Sequence, residues 1–176
     1  MVEDQMVHGT FSLAGVEYPL GHLNNFKIIV PAKDPLAVPA ILLVTFSNHV
    51  FSEKWDEQTH TQDRKFEADG ERRAFCPVRY GCSTNLRHMI EYHVGGKAFL
   101  SRDGKGIWNH LFYGEADGIA YPIFFRLTHA DRLVGIDGIL HIISAYQNPN
   151  LPARNRLQSI KFPRLVYQTC PPKIQK

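Results

Sequence analysis

His49 is the side chain of this sequence best placed to move a proton. It lies in the segment FSNHVF, directly after the strongly apolar run Ala40 to Phe46. A polar residue at the end of a buried strand is held by a rigid scaffold and still meets solvent. Because imidazole titrates near neutrality, it can take a proton from a ribose hydroxyl without a large shift of its pKa. The alternative is a structural histidine that only forms hydrogen bonds to the backbone.

A candidate anion site lies in the segment FCPVRYGCS. The planar guanidinium of Arg79 can donate two parallel hydrogen bonds to a phosphate. Ser83 or Thr84 is predicted to cap a helix over residues 84–94, and a helix amino terminus adds free backbone N–H groups and partial positive charge. We therefore predict that Arg79 and Ser83 contact a bound phosphate. The alternative is an ion pair between Arg79 and an acidic residue of the segment 53–71.

A third group of candidates lies near the carboxy terminus, in and after the segment HIISAYQNP. Alternation along a strand predicts that Ser144 and Tyr146 share one face with Ile142, while His141 points to the other face. The basic residues that follow are Arg154, Arg156 and Lys161. Such a face can bind phosphate and stack a nucleobase. The alternative makes Tyr146 a rim residue of the core and the basic residues a solvated strand edge.

The distribution of charge favours an anionic partner for the same part of the chain. The formal net charge is +3, but residues 1–71 hold five basic and eleven acidic residues. Residues 138–176 hold six basic residues and no acidic one. This asymmetry indicates RNA or another single-stranded nucleic acid as the partner. The alternative is that the acidic first part covers the basic last part within the fold.

Other features predict a cytoplasmic protein with no membrane partner. The three cysteines are an odd number, which is typical of free thiols in a reducing compartment. The start of the chain carries Glu3 and Asp4 and does not resemble a secretory signal. The longest apolar run, Ala37 to Phe46, is interrupted by Pro39 and is shorter than the roughly 20 residues that a membrane-spanning helix needs.

We expect neither a cofactor nor a metal ion. The sequence contains no phosphate-binding P-loop, no dinucleotide-type glycine pattern, no HExxH and no nucleophile elbow. Cys76 and Cys82 are farther apart than the usual CxxC pair of a zinc site, and His88 and His93 do not match HxxxH.

The elements that must position these residues indicate one α+β domain, an antiparallel β-sheet with one main helix packed on a face. Short strands are predicted around Gly15, at 26–30 and 40–46, and in five later runs, of which the last is 157–168. A turn is predicted at Asp103 and Gly104, and a polar surface excursion at 52–73. The predicted core positions are Leu43, Leu86, Ile90, Phe124, Ile142 and Ile143.

Two resemblances extend this interpretation. The segments FSNHVF, RAFCPVRY and SAYQNP resemble a small family of bacterial proteins from plasmids and prophages, over about residues 11–168. That resemblance implies no catalytic residue. The predicted helix followed by an antiparallel sheet with a late Ser-x-Tyr strand is similar to RelE- and barnase-like ribonuclease toxins. This second resemblance implies RNA cleavage by attack of the ribose 2′-hydroxyl, with basic, His and Tyr residues, and a cognate inhibitor protein.

The leading hypothesis is therefore a metal-independent, toxin-like endoribonuclease. His49 would act as base or acid, Arg79 would stabilise the charge on phosphorus, and Tyr146 would stack a base or donate a proton. The alternative is a non-catalytic protein-binding or regulatory module of a mobile genetic element, with the acidic segment 53–71 as its contact surface. A shared concave pocket for these three side chains would favour catalysis, and dispersal would favour the module.

Overall fold

The computed structural model describes residues 9–32, 34, 37–102, 108–131 and 133–172. The predicted turn at Asp103 and Gly104 lies outside the described residues. The strands of the described part are β1 (Thr10–Leu13), β2 (Val16–Pro19), β3 (Phe26–Val30), β4 (Ala40–Phe46), β5 (Ser52–Lys54), β6 (Lys65–Ala68), β7 (Glu71–Phe75), β8 (Lys97–Arg102), β9 (Trp108–Ala116), β10 (Ile119–His129), β11 (Gly138–Ala145) and β12 (Ser159–Lys161). The helices are α1 (Pro77–Ser83), α2 (Leu86–His93) and α3 (Phe162–Thr169).

A seven-stranded sheet forms the centre of the fold, with the strand order β12-β8-β9-β10-β11-β4-β3. The mixed α and β class is confirmed, but the prediction of a purely antiparallel sheet is wrong, because β4 and β11 pair in parallel. Asp137 stabilises the start of this parallel pair, since its backbone N–H donates to the Ile41 carbonyl at 2.8 Å and its Oδ2 accepts from the Ile41 N–H at 2.8 Å. Parallel strands need a long connection, so their pairing cannot be inferred from neighbouring segments.

The single helix predicted over 84–94 is two helices in the structure. The first, α1, begins at Pro77, where proline is tolerated because the first helical N–H has no partner within the helix. The second, α2, follows Asn85, whose side chain makes no capping hydrogen bond. Ser83 and Thr84 therefore do not cap a helix amino terminus. They stand at the end of α1, where Ser83 Oγ donates to the Tyr80 carbonyl at 2.7 Å and Thr84 Oγ1 to the Gly81 carbonyl at 2.7 Å.

The strand predicted over 157–168 is wrong for most of its length. Only Ser159–Lys161 pairs with β8, and the chain then continues as α3 with Pro163 in its first turn. The buried residues of α3 and of its carboxy-terminal cap are Phe162, Leu165, Val166 and Cys170. Their spacing places them on one helical face. The helix therefore packs this stripe against the sheet, and Pro163 marks its start.

The two faces of the large sheet differ in what covers them. On the covered face, Phe162 of α3 packs on Phe112 and Phe125, with ring centroids 4.9 and 5.8 Å apart. The predicted core positions Leu86, Ile90 and Ile142 are fully buried. The other three, which are partly exposed, are Leu43, Phe124 and Ile143. Half of the predicted core is thus confirmed, and at least Phe124 and Ile143 lie on the opposite, open face.

The predicted polar excursion at 52–73 folds into a small sheet with the order β5-β7-β6. Phe66 of β6 packs on Phe11 and Phe51, with ring centroids 5.6 and 5.8 Å apart. Arg73 is buried, and its guanidinium donates to the Ser52 hydroxyl and carbonyl, both at 3.1 Å. Phe66 and the buried Arg73 thus anchor this highly charged segment to the rest of the fold.

Replacement of Gly138 by alanine is expected to lower the free energy of unfolding by about 1–3 kcal/mol. A Cβ at this position would lie 2.5 Å from Cys170 Sγ and 3.0 Å from Leu42 Cδ2, so α3 or β4 would have to move. The matched control is Gly81→Ala in α1, where a Cβ meets nothing within 4 Å. That variant should keep or gain stability. Chemical denaturation measures both, and equal stability of Gly138→Ala and the parent would contradict the packing.

Candidate functional site

A β-bulge shapes the open face of the large sheet. Phe124 pairs with Ser144 and Phe125 with Ile142, so Ile143 is an extra residue in β11. The bulge changes the alternation of side chains, since Ile142 is buried on the covered face while Ile143 and Ser144 both line a groove on the open face. The predicted shared face of Ile142, Ser144 and Tyr146 is therefore wrong for Ile142. Bulges often re-aim side chains in this way beside functional sites.

The groove at the bulge has a volume of about 760 Å³ and is the first candidate site. Its floor is formed by strands β8 to β11, and its wall by the segment 148–158. The lining includes four side-chain amides, from Asn109, Asn148, Asn150 and Gln158. The charged lining residues are Arg102 and Arg156. No aspartate or glutamate is among the described residues that line it. We call this concavity the first groove.

Two aromatic rings give the first groove a stacking surface. Phe124 and Tyr146 both line the groove, and their ring centroids are 6.1 Å apart with an angle of 30° between the planes. Both residues remain partly exposed. The guanidinium carbon of Arg79 lies 4.9 Å from the centroid of the Tyr146 ring, which is a cation–π contact. The ring of Tyr146 is thus held in place by its neighbours and is still reached by solvent.

Arg79 connects Tyr146 to the turn that carries His49. Its Nη1 donates to the carbonyl of Ser52 at 2.6 Å and to the carbonyl of His49 at 3.3 Å. Arg79 therefore contacts both the backbone of His49 and the ring of Tyr146, and so connects the three predicted catalytic residues. Only Tyr146 lines the first groove, whereas the His49 ring turns to the small sheet, with Nε2 at 3.7 Å from Glu71 Oε2. The structure brings the three residues together without placing them in one pocket.

The environment of His49 favours its neutral form. Burial lowers the pKa of His49 below its ordinary value of 6.5, and the positive charges of Arg73 and Arg79 lower that pKa further, while Glu71 and Asp69 oppose them. The side chain remains 39% exposed. A neutral imidazole in contact with solvent can accept a proton at neutral pH. The role of His49 as base or acid stays a prediction.

Ser83 does not take part in the predicted anion site. The residue is only 1% exposed, and its hydroxyl also lies 2.8 Å from His22 Nε2. Burial lowers the pKa of His22, which favours the neutral imidazole in this hydrogen bond. Since the predicted helix start is absent here, the phosphate contact assigned to Ser83 is corrected to a structural hydrogen bond between α1 and the turn at Gly21–Leu23.

The remaining predicted binding residues divide between two places. Ser144 and Arg156 line the first groove. Arg154 lines a separate concavity beside α2, which we call the second groove, and its guanidinium lies 5.2 Å from the centroid of the Phe99 ring. Lys161 is exposed in β12 and pairs with Lys97, which also lines the second groove. Four of the five predicted binding residues therefore lie in or beside the two grooves.

Sequence reasoning missed Phe124 and Tyr92 as site residues. Phe124 adjoins Phe125 in a strand, so alternation alone shows that one of these two rings must face away from the core. Tyr92 lines the second groove and is 78% exposed on α2. Its position opposite to the apolar stripe of that helix was the signal available in the sequence.

Two further observations concern metals and membranes. Within the described ranges, no three His, Cys, Asp or Glu side chains cluster closely enough to hold one metal ion. No helix in the described part of the chain has the length and apolar character needed to cross a membrane.

Comparisons with known proteins place the chain in a family. Neither the search of curated proteins nor the search of solved structures finds a match. The model of the YjaZ family matches residues 10–170, almost the same range as the family resemblance noted in the sequence. The plasmid and prophage origin and the likeness to ribonuclease toxins stay predictions. Since the match covers most of its length, the chain belongs to the YjaZ family.

Proposed function

We propose that this protein binds single-stranded RNA in the first groove. The observation that carries the proposal is the lining itself, which combines the stacked pair Phe124 and Tyr146 with two arginines and four amides. Stacking on aromatic rings and contacts from basic residues to phosphates are the two main means by which proteins bind single strands. Amides and the Ser144 hydroxyl can bond to base edges and to the ribose 2′-hydroxyl.

The charge of the groove supports the same ligand. Arg156 is exposed on the wall, and the described lining contains no carboxylate that would repel a phosphate. A duplex presents its bases edge-on and cannot stack them on Phe124 and Tyr146. Single strands can turn their bases outward onto such rings. The groove therefore fits a single strand better than a helix.

The test is the affinity for a fluorescently labelled single-stranded RNA as the salt concentration rises. The expected result is binding at low salt that weakens with a slope of about −0.7 per neutralised phosphate in a plot of log K against log salt. Arg156→Gln should remove one phosphate contact, so the magnitude of the slope should fall by about 0.7. The matched control is Arg164→Gln, which removes the same charge from the exposed surface of α3. An affinity that does not respond to salt would remove the proposal.

A second candidate function is a metal-independent endoribonuclease, which one observation favours. Burial lowers the pKa of the His49 imidazole, which is partly exposed and linked through Arg79 to Tyr146 of the first groove. An RNA that leaves the groove past Tyr146 would run toward this turn. There His49 would take the proton of the 2′-hydroxyl as it attacks the adjacent phosphorus, and the 5′-oxygen would leave with a proton from solvent.

For the second candidate, total RNA is incubated with the protein in the presence of a chelator. If cleavage occurs by this route, His49→Ala should slow it by about 10²- to 10⁴-fold, the usual contribution of general acid–base catalysis. Arg79→Lys should also slow cleavage, because lysine keeps the charge and loses the planar fork. Melting temperatures of the same samples control for folding. Intact RNA with the parent protein would refute catalysis, and equal cleavage by His49→Ala would refute the role of His49 as the base. Either result would leave the binding proposal standing.

A regulatory module and a cognate inhibitor protein stay predictions of the sequence. Four of the seven acidic residues of the segment 53–71 line a shallow concavity of about 1100 Å³ on the small sheet, namely Glu53, Asp56, Glu57 and Glu71. Basic residues line the same concavity, among them Arg72. Because this surface carries both acidic and basic residues, its charge does not indicate one class of partner. The described lining of the first groove has no carboxylate and indicates an anionic partner.

A further inference from the structure

The second groove has the composition of another contact site for single-stranded RNA. It has a volume of about 810 Å³ and lies between α2, the start of β8 and the end of β9. Two aromatic residues, Tyr92 and Tyr113, line it together with the basic residues Lys97 and Arg154. Glu115 is the one carboxylate among its described lining residues. The groove thus repeats the pairing of aromatic and basic side chains found in the first groove.

Tyr92 is the unusual residue of the second groove. It is a large ring, 78% exposed, on a helix whose other face carries the buried Leu86 and Ile90. Its ring centroid lies 5.4 Å from that of His93, and His93 in turn stacks on Phe112 of the core at 5.2 Å. The contact between Tyr92 and His93 is edge-on, which leaves the face of the exposed Tyr92 ring free for a nucleobase to stack on. Because the ring is so exposed, packing in the core does not explain an aromatic residue at this position.

The two grooves are connected along β8 and by the segment that forms the wall. Ser101 lines the first groove and Lys97 the second, so four residues of strand, or about 13 Å, separate them. Arg154 lies in this interval, with its guanidinium over the ring of Phe99. It also stands in the chain between Pro152 and Arg156, which line the first groove. A basic side chain therefore lies on the route from one groove to the other.

Charge along the edge of the sheet continues this route. Lys97 of β8 and Lys161 of β12 are paired across the two strands, and both are exposed. Like charges in such a pair are unfavourable unless an anion lies between or above them. A phosphate of a strand that crosses this edge would relieve the repulsion. The pair therefore fits a backbone contact between the two grooves.

We propose that one RNA strand occupies both grooves, with a base stacked on Tyr92 and the intervening phosphates at Arg154, Lys97 and Lys161. This inference rests on the proposed function and extends it, since it makes the ligand a strand longer than the first groove can hold. Short oligonucleotides use the first groove alone. Longer ones gain the contacts of the second groove.

The experiment compares the affinities of labelled oligouridylates of about 4 and about 16 nucleotides, the range of site sizes of compact single-strand-binding domains. Tyr92→Ala and Lys97→Gln should each weaken binding of the longer RNA, Tyr92→Ala by about 5- to 150-fold, and should leave the shorter RNA unchanged. The control is Val78→Ala, which removes an exposed apolar side chain from α1 outside both grooves. Melting temperatures should match, because these side chains are exposed.

The outcomes separate this inference from the proposed function. If Arg156→Gln weakens both RNAs while Tyr92→Ala and Lys97→Gln change neither, the second groove does not bind RNA and the first still does. Equal weakening of both lengths by Tyr92→Ala would also overturn the two-groove path. Absence of binding by the parent protein at low salt would remove the proposed function and the inference together.

Discussion

Tyr146→Ala is expected to weaken binding of single-stranded RNA by about 5- to 150-fold, because stacking of one base on an aromatic ring contributes about 1–3 kcal/mol. Tyr146 lines the first groove, where Phe124 and Arg79 hold its ring. The loss should be similar for different base sequences, since every base has a stacking face. It should also leave the salt dependence of binding largely unchanged, because no phosphate contact is removed.

The control for this prediction is Tyr146→Phe, which keeps the ring and should bind within a few-fold of the parent. Fluorescence anisotropy gives the affinities, and circular dichroism verifies that the variant is folded. Removal of the ring also frees Arg79 from its cation–π contact, so the melting temperature is measured on the same samples. Parent-like affinity of a folded Tyr146→Ala would show that RNA does not stack in this groove.

Phe162→Ala is expected to lower the free energy of unfolding by about 3–5 kcal/mol. The side chain is fully buried and lies between the helix α3 and the sheet, in contact with Phe112 and Phe125. Its backbone N–H also donates to the Gly96 carbonyl at 2.9 Å, which fixes the start of the helix next to β8. Since a domain is stable by only about 5–15 kcal/mol, a loss of this size is a large part of the total.

Urea denaturation measures this loss, with Gln168→Ala as the control in the same helix. Gln168 is exposed, so its replacement should change the stability by less than about 0.5 kcal/mol. A loss below about 1 kcal/mol for Phe162→Ala would mean that α3 does not pack on the sheet as described. Such a result would also contradict the placement of Lys161, which directly precedes the helix.

Elements with a local signal could be predicted from the sequence. The run Ala40 to Phe46 is strand β4, with its even-numbered residues buried, and the strands predicted around Gly15 are β1 and β2. Gly15 has a φ of 79°, a conformation that glycine adopts without strain. In each case hydrophobic alternation or turn chemistry within a few residues determines the structure.

Features that depend on contacts between residues far apart in the sequence could not be predicted from local patterns. The pairing of β4 with β11 joins residues about a hundred positions apart, and β12 pairs with β8 from beyond the wall of the first groove. The segment 157–168 was predicted as a strand, although the spacing of Phe162, Val166 and Cys170 has the helical period that places α3 on the sheet. The period of the buried residues was the stronger signal.

The residue types of the candidate site could be predicted from the sequence, but the arrangement of these residues in the groove could not. Ser144, Tyr146 and Arg156 meet in one groove because strand alternation and chain proximity hold locally. The bulge at Ile143 shifts that alternation, and a one-residue insertion in a strand has no reliable sequence signature. The prediction for Ser83 depended on a helix that begins there. Two helices replace the predicted one, so Ser83 lies at the carboxy-terminal end of α1.

Photo-cross-linking of a single-stranded RNA that contains 4-thiouridine, followed by identification of the cross-linked peptides, can locate the bound RNA on the protein. The full chain is used at low salt, with the same RNA annealed to its complement as the control. We expect the cross-links to concentrate in residues 144–158 and in β8 to β10, to include Phe124 or Tyr146, and to be suppressed in the duplex. Cross-links confined to residues 53–71, or equal for single strand and duplex, would contradict the assignment of the first groove as the RNA-binding site.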